Sequence, residues 1–257
     1  MAFKNNLKNM LKILFFSATS LITFSSLINI YNNKSLIKNF VKQDIENYTK
    51  LSGTKKDQIW AKKVIKGGYI LHFRHAERDK WIDVQMYDAL ESDVHKNGIN
   101  NTRFAEKDYF KNAVCLNKRG LIQAKAIGEH LKQIDFPIGF VASSPSCRSR
   151  QTAELAFGGF NLLNRDLVHE GPYIENKEVR NKRLTNFYLN LPLKKDENTI
   201  VSSHNSVIRA DILTNSKDNN LSLEEGGFYV LSKTNGGLFL EHEFHSFNSF
   251  IRQFYIR

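Results

Sequence analysis

Four basic residues of two types, Arg and His, follow short apolar runs of the chain. They are Arg74, His75, Arg148 and His204. An Arg guanidinium is planar and permanently charged, and it can donate two hydrogen bonds to the oxygens of one phosphate group. A neutral imidazole nitrogen can attack phosphorus and so divide one difficult hydrolysis into two easier steps. If the fold brings these four side chains together, their chemistry predicts a site for phosphate esters.

The elements that must position these residues alternate between strand-like and helix-like patterns. Apolar residues recur at helical spacing over residues 118–134, whereas shorter apolar runs are typical of strands. Strands that alternate with helices predict an α/β fold with a mostly parallel sheet. The sequence predicts strands at 69–73, 138–142 and 199–202, helices at 118–134, 147–157 and 206–213, and a final hairpin of strands 228–232 and 238–243.

The four basic residues would meet at one edge of such a sheet. In open parallel sheets, ligands bind outside the carboxyl ends of the strands. The first predicted strand runs into Arg74 and His75. The second runs into the turn before Arg148, and the third runs into His204. Helices that start after these strands would add backbone N–H groups, which favour anions. We therefore expect a cationic, phosphate-binding cluster at this rim.

Four short motifs contain or flank these residues. In chain order they are Leu71-His-Phe-Arg74-His75-Ala76-Glu77, Asn117-Lys-Arg-Gly120-Leu-Ile-Gln123-Ala124, Ser143-Ser-Pro-Ser-Cys-Arg148-Ser-Arg-Gln-Thr152-Ala153-Glu154 and Val201-Ser-Ser-His204-Asn205. In residue types and order they resemble the signature of the histidine phosphatase superfamily, the phosphoglycerate mutase-like proteins. The resemblance covers residues 67–245. An isolated Arg-His pair is a weak signal, whereas four ordered motifs at strand ends are a specific one.

The resemblance implies a role for each of the four residues. His75 would be the nucleophile, and the phosphate would be bound by Arg74, Arg148 and His204. The resemblance also implies a three-layer α/β/α sandwich and no required cofactor. The sequence itself contains no His-Glu-x-x-His, Cys-x-x-Cys or calcium-loop motif.

The sequence departs from the superfamily pattern at two positions. Ala76 replaces the usual Gly after the nucleophile, which should not block the chemistry. Asn205 follows the second His where one branch of the superfamily has an Asp proton donor. In the other branch the donor is a Glu downstream of the second Arg, and Glu170 fits that position. A surface-loop carboxylate is an equally good interpretation of Glu170. The reserve candidates for the donor are Glu77, Asp79, Glu175 and Glu225.

The N-terminal part of the chain predicts export or anchoring. Lys4, Lys8 and Lys12 precede an uncharged apolar run, which is typical of a signal peptide or signal anchor. The run has 18 residues, the short limit for spanning a bilayer, and a buried core helix is the alternative. The predicted organisation is a signal peptide or membrane anchor at 1–30, a basic juxtamembrane linker at 31–66 and a histidine phosphatase domain at 67–257. An exported, periplasmic or extracytoplasmic location follows, with attachment to the membrane through residues 13–30 if the segment is not cleaved.

The net charge of +11 is unevenly distributed. Residues 1–66 contain twelve Lys against three acidic residues, which gives +9, so only +2 remains for residues 67–257. A protein that reads duplex nucleic acid should carry its Lys and Arg residues on the folded domain. The charge distribution therefore argues against nucleic acid as a partner.

The only two cysteines, Cys115 and Cys147, flank elements of the expected rim. If the domain is exported, we predict a disulfide between them, which would stabilise the turn before Arg148 by ~3 kcal/mol on the chain-entropy model. Two buried free thiols are the alternative. Among the remaining histidines, His72 lies inside the first strand on the face opposite Phe73, and we interpret it as a packed or hydrogen-bonded residue.

The leading hypothesis is a phosphomonoester hydrolase that acts through a covalent phosphohistidine. Its substrate would be a phosphorylated small molecule or a phosphoprotein. A protein-phosphohistidine phosphatase would share the chemistry and differ only in substrate. The alternative from another class is a catalytically silent, membrane-anchored phosphate-binding or sensory protein. A mutase would need a second pocket to hold its phosphorylated intermediate.

Overall fold

The structure is a computed structural model that describes residues 53–80, 108–168, 176–216 and 221–255. The chain divides into two compact units, residues 1–49 and 50–257, and all described residues belong to the second. Its helices are α1 (Lys55–Val64), α2 (Asp108–Val114), α3 (Lys118–Gln133), α4 (Cys147–Phe157), α5 (Lys177–Asn190) and α6 (Phe247–Tyr255). Its strands are β1 (Ile70–Arg74), β2 (Ile138–Ser143), β3 (Leu162–Leu163), β4 (Asn198–Ser203), β5 (Phe228–Thr234) and β6 (Gly237–Phe244).

The six strands form one sheet in the order β3-β2-β4-β1-β5-β6. The first four strands of that order are parallel, and the β5–β6 hairpin is added in the antiparallel sense beside β1. In the register of β1 with β4, Arg74 lies opposite Ser203, and in that of β2 with β4, Ser143 lies opposite Ser202. The carboxyl ends of the three central strands therefore reach the same edge of the sheet, as predicted.

Helices cover both faces of the sheet. Alternate side chains of a strand point to opposite faces, so Leu71 and Phe73 enter one hydrophobic cluster and Ile70 enters another. The first cluster includes apolar residues of α1, α3, α4 and α6, and the second includes apolar residues of α5. The predicted three-layer α/β/α sandwich with a mostly parallel sheet is confirmed.

The predicted linker at 31–66 is wrong over its last part, because residues 55–64 form helix α1 of the folded unit. Thr54 caps this helix, and the Thr54 and Asp57 side chains each accept a hydrogen bond from the other's backbone N–H. Trp60, Ala61 and Val64 recur at helical spacing and are buried in the first hydrophobic cluster. The folded part of the chain therefore begins before residue 67.

The predicted helix at 206–213 is also wrong, since only a short 3₁₀ turn forms at Ala210–Ile212. Arg209, just before it, has extended backbone angles, with φ −142° and ψ 162°. The side-chain oxygen of Asn205 accepts a hydrogen bond from the Leu223 N–H at 2.6 Å, so the first residue after His204 is tied to a distant loop. Apolar spacing alone did not reveal this tertiary contact, which competes with helix formation.

The described ranges contain no helix that is both long and apolar enough to cross a bilayer. The predicted signal or anchor at residues 1–30 lies outside the described residues, as do residues 31–52 of the predicted linker.

Candidate active site

The carboxyl ends of β1, β2 and β4 place the candidate residues at one rim. The His75 N–H donates to the Ser203 carbonyl at 2.9 Å, so the backbone pairing continues one residue beyond β1. The Ser144 N–H donates to the Ser202 carbonyl at 2.9 Å, which extends β2 in the same way. The rings of His75 and His204 lie 5.3 Å apart at their centroids. Residues that are 129 positions apart in the sequence thus face each other across neighbouring strands.

His75 is held in one tautomer. Its Nδ1 lies 2.7 Å from the carbonyl oxygen of Ala76, and because a carbonyl can only accept, Nδ1 carries the proton. The lone pair of the neutral ring is therefore on Nε2. The side chain is only 4% exposed, and burial, with the positive charges of Arg148 and Arg74 added, holds the pKa of His75 well below its usual value. His75 is consequently uncharged over the physiological pH range.

His204 is oriented from two sides. An Arg148 terminal nitrogen lies 3.2 Å from His204 Nδ1, and Ser144 Oγ lies 3.2 Å from His204 Nε2. Since a guanidinium can only donate, Nδ1 accepts and Nε2 carries the proton in the neutral ring. This Nε2–H points to Ser144 Oγ, and it would have to exchange that hydroxyl for a phosphate oxygen to bind an anion.

Arg148 is 1% exposed, which is unusual for a charged side chain. It is the second residue of α4, so it lies at the helix N-terminus, where an anion is also favoured. One terminal nitrogen approaches the Val114 carbonyl at 3.4 Å, and the other contacts His204. The guanidinium therefore links the start of α4 to the second histidine.

The predicted disulfide between Cys115 and Cys147 is confirmed, with Cα atoms 4.8 Å apart. Both cysteines are buried. The bridge joins the residue after Val114 to the residue before Arg148. It therefore fixes both partners of the Val114–Arg148 contact relative to each other.

Arg74 is fixed by a loop that precedes β5. One terminal nitrogen donates to the Leu223 carbonyl at 2.5 Å, and the other pairs with Glu225 at 3.3 Å. Burial raises the pKa of Glu225, and the positive charge of Arg74 opposes that rise. The Gly226 N–H completes the arrangement by donating to the carbonyls of Arg74 and His75, each at 3.2 Å. Glu225, a reserve candidate for the proton donor, is thus an ion-pair partner of Arg74.

Polar residues of two motifs hold the loop after His75 in place. The Thr152 hydroxyl accepts from the Ala76 N–H at 3.0 Å, and the Gln123 side chain accepts from the Glu77 N–H at 2.8 Å. Glycine is needed at position 120, where α3 approaches this loop, because a Cβ there would overlap the Glu77 carbonyl oxygen. These motif residues hold the backbone around the nucleophile candidate and are not themselves reactive groups.

The candidate proton donors divide into two groups. Glu170 and Glu175 lie outside the described residues. Glu77 is paired with the Arg119 guanidinium at 2.7 Å, which lowers the pKa of this partly exposed carboxyl and so keeps it ionised, without a proton to donate, at neutral pH. The structure thus brings His75, Arg74, Arg148 and His204 together and leaves the position of Glu170 open.

Sequence reasoning missed three contributors to this site: Ser144, the Val114 carbonyl and the Leu223 carbonyl. Ser144 could have been found, because it belongs to the Ser-Ser-Pro motif. The two carbonyl groups give no sequence signal. In the part of the chain that the structure describes, no group of three His, Cys, Asp or Glu side chains could hold a metal ion.

A family model described as histidine phosphatase superfamily (branch 1) matches residues 105–170. This segment contains the motif before α3 and the motif with Arg148. Over this segment the chain is similar to the histidine phosphatase superfamily. The resemblance predicted from the four motifs is thereby confirmed. No curated protein matches the chain at a significant level.

Several solved structures are similar to this chain. The product of open reading frame Rv3214 of Mycobacterium tuberculosis is 18% identical, with 69% of this chain and 97% of that chain covered and a TM-score of 0.46. A phosphoserine phosphatase of Entamoeba histolytica is 14% identical and has a TM-score of 0.47. The match covers 70% of this chain and 98% of the phosphoserine phosphatase. The protein histidine phosphatase SixA is 13% identical and has a TM-score of 0.43. The match covers 68% of this chain and 96% of SixA. Similarities this low assign no substrate.

Proposed function

We propose that this protein is a phosphomonoester hydrolase that forms a covalent phosphohistidine on His75. The observation that carries the proposal is the hydrogen bond from His75 Nδ1–H to the Ala76 carbonyl, which leaves the Nε2 lone pair available in a buried ring. A depressed pKa keeps that lone pair unprotonated. A nucleophilic nitrogen between two arginines fits attack on a phosphate ester better than attack on an uncharged group.

The first half-reaction transfers the phosphoryl group to the protein. His75 Nε2 attacks phosphorus, a P–N bond forms, and the P–O bond to the alcohol breaks. Arg74, Arg148 and the His204 Nε2–H would donate to the three equatorial oxygens, whose charge must be stabilised in the loose transition state. The leaving alkoxide takes a proton from a nearby acid, and we propose Glu170 for this role because of its position after Arg148 in the sequence.

The second half-reaction restores the free enzyme. Water attacks the phosphohistidine, the P–N bond breaks, and inorganic phosphate is released. The carboxylate that gave its proton to the alcohol can accept one from this water, so the donor acts as acid and then as base. His75 returns to its neutral tautomer, which the Ala76 carbonyl favours.

The test is trapping of the phosphoenzyme. After rapid quenching with a ³²P-labelled phosphomonoester, wild-type protein should carry label that is lost in acid and retained in base. His75→Ala should carry none and should show no turnover above background. His130→Ala, which changes a partly exposed histidine of α3 outside the site, is the matched control and should behave as wild type. Full activity in His75→Ala would exclude the mechanism.

We also propose that the protein is exported. The basic and then apolar pattern of residues 1–30 motivates this proposal, and the buried Cys115–Cys147 disulfide supports it, because such bonds persist in oxidising compartments. Cell fractionation, with N-terminal sequencing of the recovered protein, tests it. Recovery of the intact chain with both thiols reduced from the cytosolic fraction would contradict it.

A further inference from the structure

A buried polar chain lies behind the active site, on the sheet face opposite Phe73. His72 Nε2 lies 2.9 Å from the carbonyl oxygen of His204, and His72 Nδ1 lies 2.7 Å from the hydroxyl oxygen of Tyr188. His72 and Tyr188 are both fully buried, with 0% exposure. This hydrogen-bonded chain runs from helix α5 through strand β1 to the residue that follows β4.

The positions of the hydrogen atoms in this hydrogen-bonded chain follow from the donor and acceptor capacities of the groups at its two ends. The His204 carbonyl can only accept, so His72 Nε2 carries the proton. Burial lowers the pKa of His72 to about 4, so the ring is neutral at physiological pH and its Nδ1 has the lone pair. The Tyr188 hydroxyl must then donate to Nδ1, and burial raises the pKa of Tyr188, which keeps that hydroxyl protonated. Both nitrogens of the buried ring are satisfied.

The contact acts on the backbone of His204, while other groups hold its ring. The His204 carbonyl also accepts from the Val207 N–H at 3.3 Å, which closes the turn after β4. The His72 bond fixes the orientation of this carbonyl and therefore of the peptide plane next to the His204 Cα. The ring is separately fixed by Arg148 and Ser144. Without His72, the His204 carbonyl would lose the side-chain donor that holds its peptide plane.

We propose that His72, oriented by Tyr188, is a positioning residue that sets the location of His204 in the phosphate pocket. This proposal rests on the phosphatase function proposed above and adds two residues to it. A strand usually buries an apolar side chain at such a position, since an imidazole without partners is costly to bury. A displacement of about 1 Å in a catalytic group can cost about 100-fold in rate. The polar chain therefore has a use beyond packing.

The experiment compares kcat, KM and thermal stability in four variants of the full chain. His72→Phe removes both hydrogen bonds and should lower kcat by about 10- to 100-fold. His72→Gln can donate to the His204 carbonyl and accept from Tyr188, so it should recover most of the loss. Tyr188→Phe removes only the outer bond and should lower kcat by a smaller factor. His242→Phe, a buried histidine outside the site, is the control for stability and should keep wild-type kcat.

The outcomes separate a positioning role from a purely structural one. Wild-type kcat in His72→Phe would overturn the proposal, as would a loss in His242→Phe equal to that in His72→Phe. If His72→Phe does not fold, His72→Gln and Tyr188→Phe test the proposal instead. Wild-type kcat in Tyr188→Phe, with no change in the NMR signals of His204, would then overturn the proposal.

NMR of the His204 ring tests the positioning role even if the protein is not a phosphatase. If the wild-type protein hydrolyses no phosphoester, the phosphatase proposal fails. The ¹⁵N chemical shifts of the His204 ring, recorded with and without tungstate as a phosphate mimic, should still move in His72→Phe and return in His72→Gln. Unchanged shifts in both variants would overturn the positioning role independently of turnover.

Discussion

Asp57 and His242 form a buried hydrogen bond of 2.6 Å between helix α1 and strand β6. The His242 ring is also stacked on Trp60 of the same helix, with planes 8° apart. Helix α1 is therefore attached to the sheet by polar and aromatic contacts, although its four lysines gave it the composition of a linker.

Asp57→Ala should destabilise the protein by about 3 kcal/mol, because it removes a helix cap and leaves His242 buried without its partner. Denaturant unfolding of the full chain measures this loss as a lower midpoint. Ile59→Ala is the matched control, since Ile59 lies in the same helix and is 49% exposed. Equal midpoints for the two variants would show that α1 does not depend on this contact.

Much of the architecture was predictable because it depends on local patterns. The strands at Ile138–Ser143 and Asn198–Ser203 and the helix at Cys147–Phe157 were predicted within one residue, since apolar runs and turn residues mark their limits. The four candidate site residues were predictable because they follow such strands. They meet because the carboxyl ends of paired parallel strands lie at the same edge of the sheet.

Other features could not be predicted because they depend on distant partners. Helix α5 has a buried stripe of Arg180, Leu184 and Tyr188, in which a charged residue replaces an apolar one and hides the pattern. The roles of His72 and Asn205 depend on residues that are 116 and 18 positions away, respectively. Local periodicity contains no information about such contacts.

Arg148→Lys should lower kcat/KM by about 100- to 1000-fold, the usual range for loss of one preorganised donor to a developing anion. A lysine ammonium is a single point charge and cannot contact both His204 and the phosphate with a planar fork. Arg150→Lys, two residues further along α4 and also buried, is the matched control and should retain most activity. Comparable losses in both variants would indicate disruption of α4 instead.

The double variant Cys115→Ser, Cys147→Ser should be less stable by about 3 kcal/mol, because the bridge restricts the unfolded chain. Urea unfolding of the variant and of reduced wild-type protein should give the same lowered midpoint. A midpoint equal to that of oxidised wild type would show that the bridge contributes nothing to stability. Activity at low temperature, where both forms are folded, then reports whether the Val114–Arg148 contact survives.

Stability should fall as the pH is lowered below about 6.5, the usual pKa of an unfolded histidine. The folded-state pKa of His72 is about 4, so the unfolded chain binds the proton first, and the stability present above 6.5 is lost between 6.5 and 4. For this residue the loss is about 3 kcal/mol. Urea midpoints at pH 7.0 and 4.5 should differ less in His72→Gln than in wild type. An unchanged pH dependence would show that His72 is not the group responsible.

Glu170→Gln should slow hydrolysis of an alkyl phosphate by about 100-fold or more while sparing an aryl phosphate, whose phenolate leaves without a proton. Steady-state rates on both substrates, with Glu225→Gln measured beside them, identify the donor. Equal losses on both substrates would mean that Glu170 has a structural role. Loss confined to the alkyl substrate in Glu225→Gln would assign the proton to Glu225.

The antiparallel placement of β5 beside β1 affects when the pocket can form during synthesis. Arg74 and its partners Leu223 and Glu225 are 149 and 151 positions apart, respectively. Contacts between such distant segments are slow to form, because a long loop must close before they contribute any stability. A nascent chain that has reached only residue 204, just after β4, would contain all four candidate residues but no loop to hold Arg74. We therefore expect phosphate binding to appear only after the loop with Leu223 and Glu225, and strand β5 that follows it, have been made.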